Sequence, residues 1–192
     1  AKHTKDPRIG GMPFSISFEP TTACNLRCPE CPSGLRSFTR PTGNLKQDLF
    51  TRVIDELAPD LWALTFYFQG EPYINPGFLD MVRIASDRGL YTATSTNAHF
   101  LTEEKAEATV RSGLSRLIIS LDGTDQETYS AYRKEGELAK VIEGAERIVK
   151  WKKKLKSATP QVVFQFLVVK PNEYQIPEAR ALAKRVGVDD LW

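Results

Sequence analysis

Short apolar runs that alternate with segments of helical periodicity constrain the fold of this 192-residue chain more than any other feature. Five runs predict strands, at 14–19, 62–68, 90–95, 115–121 and 161–169, and residues 188–192 would begin a sixth. Apolar stripes and helix-end signals predict the helices, at 46–57, 77–88, 102–111, 138–155, a short one from Asp125, and one with Pro177 in its first turn.

This alternation predicts a parallel sheet with crossover helices, which places the chain in the α/β class. Periodicity alone leaves two arrangements open: a doubly wound sheet, and a barrel or partial barrel. Residues 14–192 are predicted to form the core domain, and residues 1–13 an N-terminal extension. Because the chain stops at the start of an apolar strand, we expect the core domain to be incomplete at its C-terminus.

Composition and charge narrow the class of protein. The apolar fraction of 41% and the charged fraction of 26% are those of an ordinary globular domain. A net charge of +2 is too small to indicate a nucleic-acid or membrane partner, and no apolar run is long enough to span a bilayer. The first residues lack a signal-peptide pattern, so we predict a cytoplasmic protein.

The basic segment 150–156 is either the solvated end of a helix or a nucleic-acid patch.

Polar clusters follow the first four predicted strands. They are Glu19, Gln69-Gly70-Glu71, Ser95-Thr96-Asn97 and Ser120-Leu121-Asp122. Polar residues also end strands in ordinary loops, so one such cluster alone would carry no meaning. In parallel α/β folds, however, the carboxyl ends of the strands converge on one face, where ligands bind. Four clusters therefore predict a binding site on that face.

The three cysteines, Cys24, Cys28 and Cys31, have a C-x3-C-x2-C spacing directly after the first predicted strand. In a chain without an export signal, this cluster indicates metal binding or redox chemistry rather than disulfides. Three thiolates can hold three irons of a [4Fe-4S] cluster and leave the fourth iron open to an exogenous ligand. A closed zinc site would need a fourth protein ligand: a carboxylate, His3 or His99.

The cysteine loop and its place after the first strand resemble the radical S-adenosylmethionine (SAM) superfamily, whose members have C-x3-C-x2-C there. The segment EPTTACNLRCPECP is similar to the branch that often carries a C-terminal SPASM domain, which includes peptide maturases and anaerobic sulfatase maturases. The resemblance implies a partial TIM-like (β/α)6 barrel, with about five β/α units present here, and a [4Fe-4S] cluster on the three cysteines. One departure is Glu30, where the family often has an aromatic residue near the adenine.

The resemblance also implies a set of residues that bind SAM. They are Gln69, Gly70, Glu71 and Pro72 at the methionine amino group, Ser120 and Arg133 at the methionine carboxylate, Asn97 in the polar motif after the third strand, Asp122, and Val168 or Phe166 at the adenine. Each has a structural alternative. The Gly70 segment would be an ordinary turn, Arg133 a solvated helix residue, and Asp122 a helix cap. Val168 and Phe166 would pack in the core.

Three functions follow as hypotheses. The resemblance implies a radical SAM enzyme that forms a 5′-deoxyadenosyl radical and abstracts hydrogen from a peptide or protein, with flavodoxin or ferredoxin as the electron donor. The second hypothesis is the same chemistry on a small molecule, in cofactor or carbohydrate biosynthesis. The third is a non-catalytic iron-sulfur or zinc module, against which the Gly70-Glu71-Pro72 motif argues because a simple carrier needs no SAM site.

Overall fold

The computed structural model describes residues 11–192, so His3 and most of the predicted N-terminal extension lie outside the described residues. The strands are β1 (Ser15–Ser17), β2 (Ala63–Thr65), β3 (Tyr91–Thr96), β4 (Arg116–Ser120), β5 (Gln161–Gln165) and β6 (Asp190–Leu191). The helices are α1 (Pro32–Leu35), α2 (Gln47–Leu57), α3 (Phe78–Asp87), α4 (Glu103–Arg111), α5 (Gln126–Tyr132), α6 (Leu138–Leu155) and α7 (Ile176–Val186), with 3-10 turns at Pro72–Ile74 and Glu173–Gln175.

The six strands form one parallel sheet in the order β1-β2-β3-β4-β5-β6. A doubly wound sheet reverses its strand order at a switch point, and this order never reverses. Sequential parallel strands with crossovers of one hand place every helix on the same face, as in a barrel. Within residues 11–192, β6 does not pair with β1, so the barrel is partial. The predicted α/β partial barrel, with five strand–helix units and a sixth strand, is confirmed.

The two faces of the sheet differ in character. Leu64, Phe66, Leu117 and Phe164 point to the helical layer and belong to the buried core. The side chains between them point the other way, into the concave face, and many of these are small or polar, such as Thr65, Ser95, Ser120 and Gln165. The concave face therefore ends, at the carboxyl ends of the strands, in a polar rim.

Helix ends follow the predicted signals. The Thr102 side chain accepts the Lys105 N–H at 3.3 Å, and Asp125 accepts the Thr128 N–H at 2.8 Å. Gly187 adopts a left-handed φ of 83° directly after α7. The two N-terminal caps fix where α4 and α5 begin near the polar rim, and Gly187 ends α7 before β6.

The fifth strand is shorter than the prediction, which extended it to residue 169. The strand ends at Gln165, the Phe166 N–H still donates to the Trp192 carbonyl at 2.8 Å, and from Leu167 onward side chains replace the strand ladder. Asp122 accepts the Leu167 N–H at 3.0 Å, and Asn172 both accepts the Val169 N–H and donates to the Leu167 carbonyl, each at 2.8 Å. An apolar run thus ends as a loop because two buried polar side chains satisfy its backbone.

The basic segment 150–156 ends α6. Lys150 pairs with Glu103, Lys152 with Asp189, and Lys154 lies over the Trp151 ring. Among residues 11–192, none of the helices combines the length and apolar character of a membrane span.

Candidate functional site

The loop between β1 and α1 carries the cysteines and is held at several backbone positions. Helix α1 starts immediately after Cys31. Gly34 within it lies so close to Cys28 that an added Cβ would be 2.4 Å from the Cys28 carbonyl oxygen. The Arg27 N–H donates to the Lys134 carbonyl at 3.0 Å, which ties the loop to the segment after α5. These contacts fix the positions of the thiols relative to the sheet.

The turn after β2 requires glycine. Gly70 has a φ of 78°, and a Cβ there would lie 2.1 Å from the Thr21 carbonyl oxygen. Its N–H donates to Ser33 Oγ at 3.0 Å, and the Glu71 N–H donates to the Ala23 carbonyl at 2.8 Å. The turn therefore packs directly against the backbone of the cysteine loop.

The Glu71 carboxylate is buried, with 1% of the residue exposed, and its oxygens are already engaged. Oε1 accepts from the Tyr73 N–H at 3.2 Å and from Thr96 Oγ1 at 2.7 Å, and Oε2 accepts the Asn97 N–H at 2.8 Å. Burial raises the pKa of Glu71, and these hydrogen bonds oppose the rise. The side chain thus joins the ends of β2 and β3.

Two nitrogen donors approach cysteine sulfurs. Asn97 Nδ2 lies 3.9 Å from Cys24 Sγ, and Arg133 Nη1 lies 3.8 Å from Cys28 Sγ. Donors at these positions would stabilise negative charge on sulfur. The third thiol, Cys31, donates to Gln69 Oε1 at 3.4 Å, so the residue before Gly70 also contacts the cysteine loop.

Arg133 ends α5 and is oriented by Asp122. The Arg133 Nε donates to Asp122 Oδ2, and Asp122 is 2% exposed. Burial lowers the pKa of Arg133, but the net direction is upward, and the charge of Asp122 is the largest of the effects that raise it. The guanidinium is therefore a fixed cation beside Cys28.

Two of the thiols, those of Cys24 and Cys28, are held in the protonated form before a metal binds. Burial raises the pKa of Cys24 to about 11. Burial also raises the pKa of Cys28, against the opposing charge of Arg133. Metal binding would therefore have to displace protons from these sulfurs.

These features line one cleft of about 220 Å³. Its lining includes the three cysteines, Arg133 at the end of α5, and residues at the carboxyl ends of β2, β3, β4 and β5, namely Gln69, Gly70, Glu71, Asn97, Ser120 and Gln165. Most residues predicted from the sequence for this site thus share one cavity. Their roles towards SAM stay predictions.

Four predicted residues lie away from this lining. Pro72 is buried at the start of the 3-10 turn, and Asp122 is buried behind Arg133, while Asp125 caps the following helix. Val168 is 51% exposed in the loop after β5, and Phe166 is buried in the core. For Phe166 the structure therefore shows the core-packing alternative.

Sequence reasoning missed Tyr67 and Gln165, which also line the cleft. Both project from the concave face at strand ends, two residues beyond inward-facing Thr65 and Val163. Alternation along each strand is the signal that could have found them. Glu30 is exposed in the cysteine loop.

His99 is not placed as a fourth zinc ligand. Its Nε2 accepts the Glu137 N–H at 2.8 Å, so its Nδ1 carries the proton and donates to the Asn97 carbonyl at 2.8 Å. Burial lowers the pKa of His99, in agreement with a neutral ring. Among residues 11–192, no three His, Cys, Asp or Glu side chains converge on the position of a single metal ion. The thiols share a cleft without forming a mononuclear site.

Comparison with known protein families identifies the family of this chain. Residues 18–173, most of the chain, match the Radical SAM superfamily. The chain belongs to the radical SAM superfamily. Membership identifies this radical SAM chain as an enzyme and implies SAM and an iron-sulfur cluster as its cofactors. The family predicted from the cysteine loop is confirmed.

Relatives of this radical SAM chain differ in their named activities. A tungsten-containing aldehyde ferredoxin oxidoreductase cofactor-modifying protein of Pyrococcus furiosus is 31% identical over 92% of this chain and 49% of its own length. An AdoMet-dependent heme synthase of Methanosarcina barkeri is 31% identical over 91% of this chain and 48% of its own. A PqqA peptide cyclase of Bradyrhizobium diazoefficiens is 33% identical over 68% of this chain and 36% of its own. The chain thus spans about half the length of the first two relatives, and less of the third.

Solved structures share the fold. Streptococcus suis SuiB bound to S-adenosylmethionine superposes with a TM-score of 0.76 at 16% identity, over 94% of this chain and 40% of SuiB. Native anSMEcpe with bound AdoMet gives a TM-score of 0.75 at 18% identity, over 93% of this chain and 50% of its own. At this identity the similarity establishes the partial-barrel fold.

Proposed function

We propose that this chain cleaves SAM reductively at a [4Fe-4S] cluster bound by Cys24, Cys28 and Cys31. The observation that carries the proposal is the single cleft that contains the three thiols together with the carboxyl ends of four strands. When bound, the cluster supplies the electron that splits SAM into methionine and a 5′-deoxyadenosyl radical, which abstracts hydrogen from the substrate.

The residues present fit such a cluster. Three thiols from one loop match three irons and leave the fourth for an exogenous ligand. The amide of Asn97 and the guanidinium of Arg133 approach two of the sulfurs and would donate to them as thiolates. With both nitrogens of His99 engaged elsewhere, a closed zinc site lacks its best nearby fourth ligand.

The cleft also offers partners for both ends of a bound methionine group. Ser120 and the fork of Arg133 suit its carboxylate. The Glu71 carboxylate already accepts three protein donors. The ammonium of the methionine group would therefore donate to the backbone carbonyls of Gln69 and Gly70. Glu71 would then act through Asn97, which it holds beside Cys24.

A peptide or protein is the substrate class that we propose. The PqqA peptide cyclase relative supports this assignment, as does the similarity of the cysteine segment to the SPASM-type branch. An electron donor such as flavodoxin or ferredoxin, a cytoplasmic location, and a core domain over residues 14–192 are part of the same proposal.

A second candidate is the same chemistry on a cofactor or other small molecule. The heme synthase and the tungsten cofactor-modifying protein favour it, since each is 31% identical over more than nine-tenths of the chain. Both candidates share the SAM cleavage step, and they differ only in what the radical attacks.

The test of the cluster assignment is anaerobic reconstitution with iron and sulfide. We expect four irons and four sulfides per chain, from the chemistry of the cluster, and an absorption spectrum that changes when SAM is added. Cys28→Ala should lose the cluster, and Ser37→Ala, in the exposed segment after α1, should retain it. Zinc in place of iron in anaerobically purified protein would support the non-catalytic module instead.

A further inference from the structure

A second cleft, of about 330 Å³, lies beside the first. It shares Cys24 and Ser33 with the first cleft, and its rim carries Arg36, Phe38 and Arg40. The cysteine loop can therefore be reached from two sides. One side holds the strand ends, and the other side holds two guanidinium groups.

Arg36 is fixed relative to the cysteines. It follows the last residue of α1, with a left-handed φ of 53°, and its N–H donates to the Ser33 carbonyl at 3.3 Å. Because α1 begins after Cys31 and packs on Cys28 through Gly34, a single helical turn connects Arg36 to the thiols.

Arg40 is fixed by two other contacts. Its Nη2 donates to Glu19 Oε2 at 2.6 Å, and its guanidinium lies 4.9 Å from the centre of the Phe38 ring. Thr21 Oγ1 donates to the Gly43 carbonyl at 3.0 Å and anchors the return of this loop. The negative charge of Glu19 offsets part of the positive charge of Arg40. Arg36 therefore contributes more than Arg40 to the positive charge of this surface.

An apolar side chain accompanies the two arginines. Leu35, at the end of α1, is 58% exposed and directly precedes Arg36. Exposed apolar groups next to arginine and aromatic side chains are typical of protein interfaces. Positive charge on such a surface favours an acidic partner.

We propose that the surface formed by Leu35, Arg36, Phe38 and Arg40 docks an acidic one-electron carrier protein. This inference rests on the proposed function, since it assigns the entry point of the electron that SAM cleavage consumes. The carrier is oxidised by one electron for each SAM cleaved, the cluster is reduced by one, and no proton or group moves between the proteins. Cys24 also lines the second cleft, so it can be approached from a side other than the first cleft, where SAM would bind.

The test compares two reductants on the reconstituted full chain. An Arg36→Glu/Arg40→Glu variant is measured with reduced flavodoxin, an acidic carrier, and with dithionite, a small chemical reductant. A control of equal charge change is Arg83→Glu/Lys153→Glu, at two exposed positions on α3 and α6. Binding of oxidised flavodoxin is titrated separately, at low and high salt.

The Arg36→Glu/Arg40→Glu variant should bind flavodoxin about tenfold more weakly at low salt, and its flavodoxin-driven formation of 5′-deoxyadenosine should fall by a similar factor. Its dithionite-driven rate should stay within about twofold of wild type, as should every property of the control. Unchanged flavodoxin binding in the Arg36→Glu/Arg40→Glu variant would overturn the inference. So would a loss confined to peptide turnover with dithionite, because the surface would then bind substrate. Failure of wild type with dithionite would instead refute the proposed function.

Discussion

The Asn97 backbone N–H donates to the buried carboxylate of Glu71 at 2.8 Å, so one side chain fixes the distance between the ends of two strands. The same Asn97 directs its amide to Cys24 Sγ and to Asn25 Oδ1. The position of a cysteine contact therefore depends on a carboxylate that does not itself touch the sulfur.

Glu71→Gln should destabilise the protein by about 1–3 kcal/mol. The two oxygens of Glu71 accept three hydrogen bonds, and the amide would replace one oxygen with an NH2 group, which cannot accept them. Urea unfolding measures this loss, and equilibrium dialysis should show weaker SAM binding. Glu104→Gln makes the same chemical change at an exposed position and should be neutral. Equal stability of the two variants would contradict this role of Glu71.

Gly70→Ala and Gly89→Ala form a matched pair. Both glycines have a left-handed φ, of 78° and 75°, so both variants incur about 1 kcal/mol of backbone strain. Only at Gly70 would the new Cβ also meet backbone, 2.1 Å from the Thr21 carbonyl, whereas nothing lies within 4 Å at Gly89. Gly70→Ala should therefore lose more unfolding free energy and most of its reconstituted iron, and equal losses in the pair would refute the packing argument.

Much of this arrangement could be predicted from the sequence, because it depends on local patterns. Apolar periodicity placed the strands and helices, and the C-x3-C-x2-C spacing placed the cysteines. Periodicity does not encode which strands are neighbours, so the strand order could be predicted only from the resemblance of the cysteine loop to a family with a partial barrel. The hydrogen bond from Asn97 to Glu71 could not be predicted either, because it joins residues 26 apart in sequence. Val168 was assigned to a strand that Asp122 and Asn172 interrupt.

Two buried tyrosines should respond differently to loss of the hydroxyl. Tyr73 OH hydrogen-bonds to Thr109 Oγ1 at 2.8 Å, whereas among residues 11–192 Tyr129 OH is buried without a partner. Tyr73→Phe should cost about 1 kcal/mol, and Tyr129→Phe should be neutral or slightly stabilising. Chemical denaturation of the metal-free protein measures both, and a larger loss for Tyr129→Phe would show that its hydroxyl is bonded.

Stability should fall between neutral pH and pH 5 because of His99. Its pKa is lowered in the folded protein by burial and by the charge of Lys140, so the unfolded chain takes up the proton first. The contribution of neutral His99 to the free energy of unfolding is fully present above the unfolded pKa of about 6.5 and is lost as the pH falls below that value. Protonation of Nε2 would also break its bond with the Glu137 N–H.

His99→Gln should therefore show a smaller loss of urea midpoint between pH 7.5 and 5.5 than wild type does. The acidic groups with lowered pKa, Glu103, Asp125 and Glu137, act at lower pH. Glu71, whose pKa is raised by burial, gains stability as the pH falls and opposes the effect of His99, but it does so equally in the variant and in wild type. An identical pH dependence in the variant and in wild type would remove His99 as the cause.

The central claim is that the three-cysteine cleft cleaves SAM reductively. The most direct measurement is anaerobic: reconstituted protein receives SAM and dithionite, and 5′-deoxyadenosine is quantified by mass spectrometry. We predict that it forms with wild type and is lost in Cys24→Ala, Cys28→Ala and Cys31→Ala. A reconstituted wild-type protein that carries its cluster and binds SAM, yet forms none, would contradict the claim.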